Sequence, residues 1–165
     1  HDPETIETLN SLGISMKIPS EYRMVEDSGQ FLWYRNTFER GLLNIIAYEI
    51  PVFDESYTME SLVSFRDSIG KSYIPGQFDN TYMRTEPKFT PVTRDVEFNK
   101  VKAIESRGLW FVEGDFMGGP FISYTIEDKA NDRLIVVEGF SFSPSSKKRD
   151  VVFELEAILK TLQLK

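Results

Sequence analysis

The sequence predicts an α+β domain: a mainly antiparallel, twisted sheet of about seven or eight strands with helices on both faces, an α/β/α sandwich. Three observations lead there. Apolar residues repeat at helical spacing in windows near both ends and the middle of the chain. The windows between them read as strands, and the last four are joined by short connections. Several of those strands are apolar on both sides.

The best-marked helix follows Thr58, an N-cap residue, with Met59, Leu62, Val63, Arg66 and Ile69 down one stripe. Tyr57 and Leu62 are spaced as a hydrophobic staple across that cap. A C-terminal helix is expected over residues 148–162, with Val152, Leu155, Ile158, Leu159 and Leu162 on its buried side. A third, at the N-terminus, is signalled by Asp2 as cap and Pro3 at the first helical position. Ile6, Leu9 and Leu12 follow before Gly13.

Strands are expected over residues 14–18, 31–36, 43–50, 81–85, 92–98, 101–112, 121–128 and 133–142. Asn99-Lys100 and residues 129–132 are short polar connections, so the last four strands form a meander of hairpins. Leu43-Asn44-Ile45-Ile46-Ala47 and Leu134-Ile135-Val136-Val137 do not alternate, and strands of that kind are covered on both sides. Residues 1–165 read as one domain, because the candidate linker at 75–80 is too short to divide them.

Composition narrows the function. Twenty-six acids against 19 bases give a net charge of −7. That balance argues against nucleic acid as a partner and against electrostatic attachment to an anionic membrane. No apolar run approaches the ~20 residues of a membrane span. The chain opens without the basic and apolar regions of a signal peptide, so the expectation is that any targeting segment was removed or never existed. Cysteine is absent and the sole histidine is His1. Thiolate nucleophiles, disulfides, iron–sulfur clusters and cysteine zinc sites are therefore excluded. Any chemistry must run on carboxylates, lysine, tyrosine or a bound cofactor, and no cofactor or metal is expected. Residues 128–132 lack the glycine and distant glutamate of a calcium loop.

Four features are candidates for a site. In EGDFMGGPFISYTI, Gly118-Gly119 is followed by Pro120, which has no N–H, and then by a strand, with Glu113 and Asp115 alongside. A phosphate loop needs free N–H groups at a helix start, so that reading fails. The expectation is a turn at Gly118, Gly119 and Pro120, through positive φ or close backbone approach. Phe116 and Met117 either fold back as a plug over the end of the sheet or stand out as a contact surface. Glu138 shares a strand side with Leu134, Val136, Phe140 and Phe142, so it must be paired. Arg107 and Arg35 are the candidate partners, and the expected pair is Glu138–Arg107, structural in role. Glu105, Glu113, Asp115 and Glu138 offer acids for a glycosidase-like pair, which needs a separation of about 5 to 9 Å. Finally, Lys147, Lys148 and Arg149 stand where a helix macrodipole disfavours cations. They are a solvated end, or they bind an anion, a headgroup or an acidic partner.

GLWFVEGDFMGGPFISYTI, VVEGFSFSP and KRDVVFELEAILKTL, with FLWYR and FRDSIGKSYIPG earlier, together resemble an uncharacterised family of bacterial cell-envelope lipoproteins. The resemblance runs over essentially the whole chain, and GDFMGGPF is its most specific part. It implies a periplasm-facing domain of the cell envelope, lipid-anchored in its full-length precursor through a cysteine this chain does not contain. It supplies no catalytic residues. The order of elements is also similar to the PsbP-like fold, which serves mostly as a docking module. The function so implied is non-catalytic binding of an envelope protein or small ligand through loops at one end of the sheet. The alternatives are a carboxylate-dependent hydrolase, with one raised carboxyl pKa in a deep pocket, and a binder of small apolar ligands, with an apolar cavity between sheet and helix.

Overall fold

A computed structural model describes residues 5–6, 12–38, 41–51, 57–115, 117–142 and 148–164. Its strands are β1 (Thr5–Ile6), β2 (Ile14–Lys17), β3 (Arg23–Asp27), β4 (Phe31–Phe38), β5 (Gly41–Pro51) and β6 (Met83–Thr85). They continue as β7 (Val92–Phe98), β8 (Val101–Val112), β9 (Gly118–Asp128), β10 (Arg133–Phe142) and β11 (Gln163–Leu164). The helices are α1 (Met59–Tyr73) and α2 (Lys148–Leu159).

The main sheet is eight-stranded and runs β3-β4-β5-β10-β9-β8-β6, with β7 paired beside β6 on the same edge of β8. Every pairing within it is antiparallel. The hairpins of β7 to β10 form the predicted meander. Its first turn is tight because Asn99 and Lys100 both adopt positive φ. A small sheet, β1-β2-β11, packs on the side of α2.

Two cores follow from two covered faces. Phe31, Trp33, Ile46, Tyr48, Phe121, Val136 and Phe140 point toward α1, while Leu32, Ile45, Ile122, Tyr124, Ile135 and Val137 point toward α2. Neighbours Ile45 and Ile46 are thus both buried, and the unbroken apolar runs need no polar side. α1 forms where predicted. Thr58 Oγ1 accepts from the Ser61 N–H at 3.1 Å, and the Thr58 N–H reaches Ser61 Oγ at 2.8 Å, a reciprocal cap. Gly70 lets the helix touch β6: a Cβ there would stand 1.9 Å from the Met83 carbonyl oxygen.

The N-terminal helix is corrected where it can be followed. Thr5 and Ile6 are a strand, paired with Lys17 and Met16 of β2. Both residues are β-branched, and the window is shorter than an isolated helix requires, so strand pairing wins. Arg133 ties the small sheet to the large one, since its guanidinium donates to Glu49, to Asp128 and to the Leu12 carbonyl.

Candidate functional site

Two turns meet at one end of the main sheet. The first joins α1 to β6 and reads Ile74-Pro75-Gly76-Gln77-Phe78-Asp79-Asn80-Thr81. Pro75 blocks helix continuation, and Asn80 takes a positive φ of 63°. The Gly76 N–H donates to the Thr81 carbonyl at 2.8 Å, and both the N–H and the hydroxyl of Thr81 donate to the Phe78 carbonyl. The loop is braced from within, and it leaves Phe78 56% exposed at its tip. Its neighbour is the β8–β9 turn. A Cβ on Gly76 would collide with Thr81 and Val112, and one on Gly114 would touch the Thr81 methyl at 3.6 Å.

That second turn lies earlier in the chain than expected. Positive φ occurs at Gly114, whereas Gly118, Gly119 and Pro120 already belong to β9, opposite Phe111, Trp110 and Leu109. The glycines serve close approach instead of reversal. A Cβ on Gly119 would lie 2.1 Å from the Ser141 carbonyl oxygen, which also accepts a hydrogen bond from Trp110 Nε1. Met117 is half-buried and packs against the core beneath α1. Phe116 and Lys147 lie outside the described residues. Lys148 and Arg149 occupy the first positions of α2.

Glu138 is fully buried, as its neighbours required, but its partner is Arg66. Arg66 Nε and Nη2 reach the two carboxylate oxygens at 2.7 Å each, and Nη1 donates to Thr85 Oγ1 at 2.8 Å. The guanidinium also stands 4.0 Å from the Phe121 ring centroid. Burial works against this cation, and the Glu138 carboxylate more than offsets it, so the Arg66 pKa is raised. The expected Glu138–Arg107 pair fails on register. Glu138 lies opposite Ser123, and Ser123 opposite Ser106, so Arg107 is one residue out of step and faces α2. Arg35 instead donates to Asn44 and stacks near Trp33. The sequence held a signal for Arg66, a lone cation within the apolar stripe of α1.

Arg107 belongs to a second network, on the α2 side. Glu105 accepts from Arg94 Nε at 3.0 Å, Arg107 Nε at 3.1 Å and the Tyr124 hydroxyl at 2.8 Å. Arg107 Nη2 continues to Glu156 at 2.8 Å, which Lys160 also contacts. Burial raises the pKa of Glu105, but the hydrogen bonds from Arg94, Arg107 and Tyr124 outweigh it and lower the value to about 2. Glu156 is lowered as well: burial is opposed by Lys160 and Arg107. Burial and the Glu105 carboxylate push the Tyr124 hydroxyl pKa up.

A groove of about 660 Å³ runs between α1 and the main sheet. Leu62, Phe65, Ile69, Tyr73 and Ile50 give it apolar walls, while Ser61, Ser68 and Ser72 line its helix side. Pro51 and Tyr57 also line it, and residues 52–56 between them lie outside the described residues.

A family model described as "Domain of unknown function (DUF4837)" matches residues 2–161. The Ran-binding protein Mog1p of Saccharomyces cerevisiae superposes with a TM-score of 0.57 at 11% identity, over 98% of this chain and 94% of that one. LpqN of Mycobacterium tuberculosis, described as involved in cell envelope biogenesis, gives 0.51 at 10% identity, over 92% and 83%. No curated protein matches the chain in sequence. At such identities the structural likeness concerns the fold alone, and it is the Mog1/PsbP-like fold.

Proposed function

The chain belongs to this family of unknown function, and we propose that it is a non-catalytic binding domain of the cell envelope, docking a protein partner through the loops at one end of its sheet. The observation that carries the reading is Phe78, an aromatic side chain held out of the core by a loop whose own hydrogen bonds fix it. A pre-ordered aromatic anchor loses little entropy on binding, and such anchors dominate interface energetics. The fold neighbours support the reading without assigning it: one is named for binding another protein, the other for a role in envelope biogenesis. A periplasm-facing position with a lipid anchor in the precursor is part of the proposal.

A hydrolase of the carboxylate type asks for an acid held above its ordinary pKa. Glu105 is held below its ordinary value by Arg94, Arg107 and the Tyr124 hydroxyl, and Glu156 by Lys160 and Arg107. The groove beneath α1 favours a second reading, a binder of small apolar ligands, because its walls are apolar with a few hydroxyls.

Cross-linking in native envelopes, with captured proteins identified by mass spectrometry, tests the docking reading. The wild-type chain is expected to capture a small reproducible set that Phe78→Ala loses at unchanged melting temperature. Truncating such an anchor costs about 2 kcal/mol or more, roughly 30-fold in affinity. An unchanged set, or none under several growth conditions, contradicts the proposal. Saturable binding of a fluorescent fatty-acid analogue, abolished by Phe65→Ala, would favour the groove.

A further inference from the structure

The α2 side of β7 and β8 carries a surface of different chemistry. The Glu105 side chain is only 4% exposed, yet the arginines it holds are 66% exposed for Arg94 and 41% for Arg107. A buried acid with a buried partner fastens elements together. A buried acid whose partners face water is a mount that fixes two cations in place. Arg94 bonds Glu105 through Nε and Nη2, and Arg107 bonds Glu105 through Nε and Glu156 through Nη2. A guanidinium has five N–H donors, so among the described residues the Nη1 group of each remains uncommitted. The two cations also repel one another, and an added anion relieves that repulsion.

Apolar side chains share this face. Val92 is the cross-strand partner of Arg107, and Leu109 lies two residues further along the same side of β8; both are exposed. Phe153 stands one turn before Glu156, on the flank of α2 that reaches Arg107, and is 72% exposed.

We infer that this face binds an acidic segment of a protein partner. A carboxylate of the segment is received between Arg94 and Arg107, and its apolar neighbours lie against Val92, Leu109 and Phe153. The charge complementarity selects the occupant: a neutral apolar segment would bury the uncommitted Nη1 groups without an acceptor, whereas a carboxylate accepts from both, and a basic segment offers no acceptor and adds a third cation beside the two. The inference rests on the docking reading for its kind of partner, but it concerns a different surface from the Phe78 loop.

The test is an NMR titration with the probe peptide LEFEL, blocked at both ends, and its uncharged twin LQFQL. LEFEL is expected to give saturable shifts at the Nε–H of Arg94 and Arg107 and at the amides of Val92 and Leu109. LQFQL should bind at least about tenfold more weakly, the loss of one charge-assisted hydrogen bond. Arg94→Lys with Arg107→Lys keeps the charge but not the fork and should weaken LEFEL by a similar factor. Arg94→Gln, Glu105→Gln and Arg107→Gln together remove the buried Glu105 charge along with its partners, while Glu156 keeps Lys160; with the melting temperature checked, this variant should abolish binding. Equal affinity for both peptides, shifts centred on the Phe78 loop, or no saturable shift overturns the inference. The outcomes separate cleanly from those of envelope capture. If Phe78→Ala loses its captured proteins while LEFEL shows no preference, the loop reading stands and this one falls. If LEFEL binds as expected and Phe78→Ala captures as the wild type does, the reverse holds.

Discussion

Two carboxylates, each hydrogen-bonded to arginine, sit on opposite faces of the same sheet and do different work. Glu138 and Arg66 are both sealed under α1, and Nε, Nη1 and Nη2 of the fork each bond inside the protein. Glu105 is equally inaccessible, but its arginines look outward from β7 and β8. Identical functional groups therefore serve the fold in one place and a surface in the other. What separates them is the solvent exposure of the cation, because water screens one pair and not the other.

The largest effect tests that separation directly. Arg66→Met leaves the Glu138 carboxyl without its partner in the core, and should cost about 3–5 kcal/mol in denaturant unfolding. Adding Glu138→Leu should recover most of the loss, because an apolar pair of similar volume is tolerated where a lone charge is not. If Arg66→Met costs no more than a change at Glu105, the distinction between the faces is lost.

Glu105→Gln should cost less, about 1–2 kcal/mol, since solvent already weakens the bonds from Arg94 and Arg107. It also has a pH signature. The folded pKa of Glu105 lies near 2 against an ordinary 4.5. Its contribution is therefore complete above about pH 4.5 and lost as pH falls toward 2. Acid unfolding curves of the wild type should fall more steeply through that window than those of Glu105→Gln, and parallel curves would contradict the assignment. Smaller again, Thr58→Ala removes one half of the reciprocal cap of α1 and should cost about 1 kcal/mol. Phe78→Ala should change stability by less than about 0.5 kcal/mol, as a side chain that packs on little.

Much of this architecture was legible in the residues, because hydrophobic period and turn chemistry are local. Thr58 with the stripe behind it marked α1, and Asn99-Lys100 marked a hairpin. β3 escaped notice since Arg23–Asp27 is a charged edge strand with no buried side to give it a pattern. Glu138 announced its own burial, yet not its partner. Choosing between Arg66 and Arg107 needs the register of β8 against β9 and β10, which no local pattern encodes. Phe78 was hidden for a related reason. Gly76, Asp79 and Asn80 mark a loop, but only the bonds to Thr81 reveal that the loop is rigid and its aromatic tip exposed.

The most direct measurement places a photo-reactive phenylalanine analogue at position 78, and in a separate chain at position 153, and irradiates both in native envelopes. Docking through the sheet end predicts that a defined protein partner is trapped from position 78. Labelling from position 78 that is diffuse, or no stronger than that of unfolded chain, would contradict it.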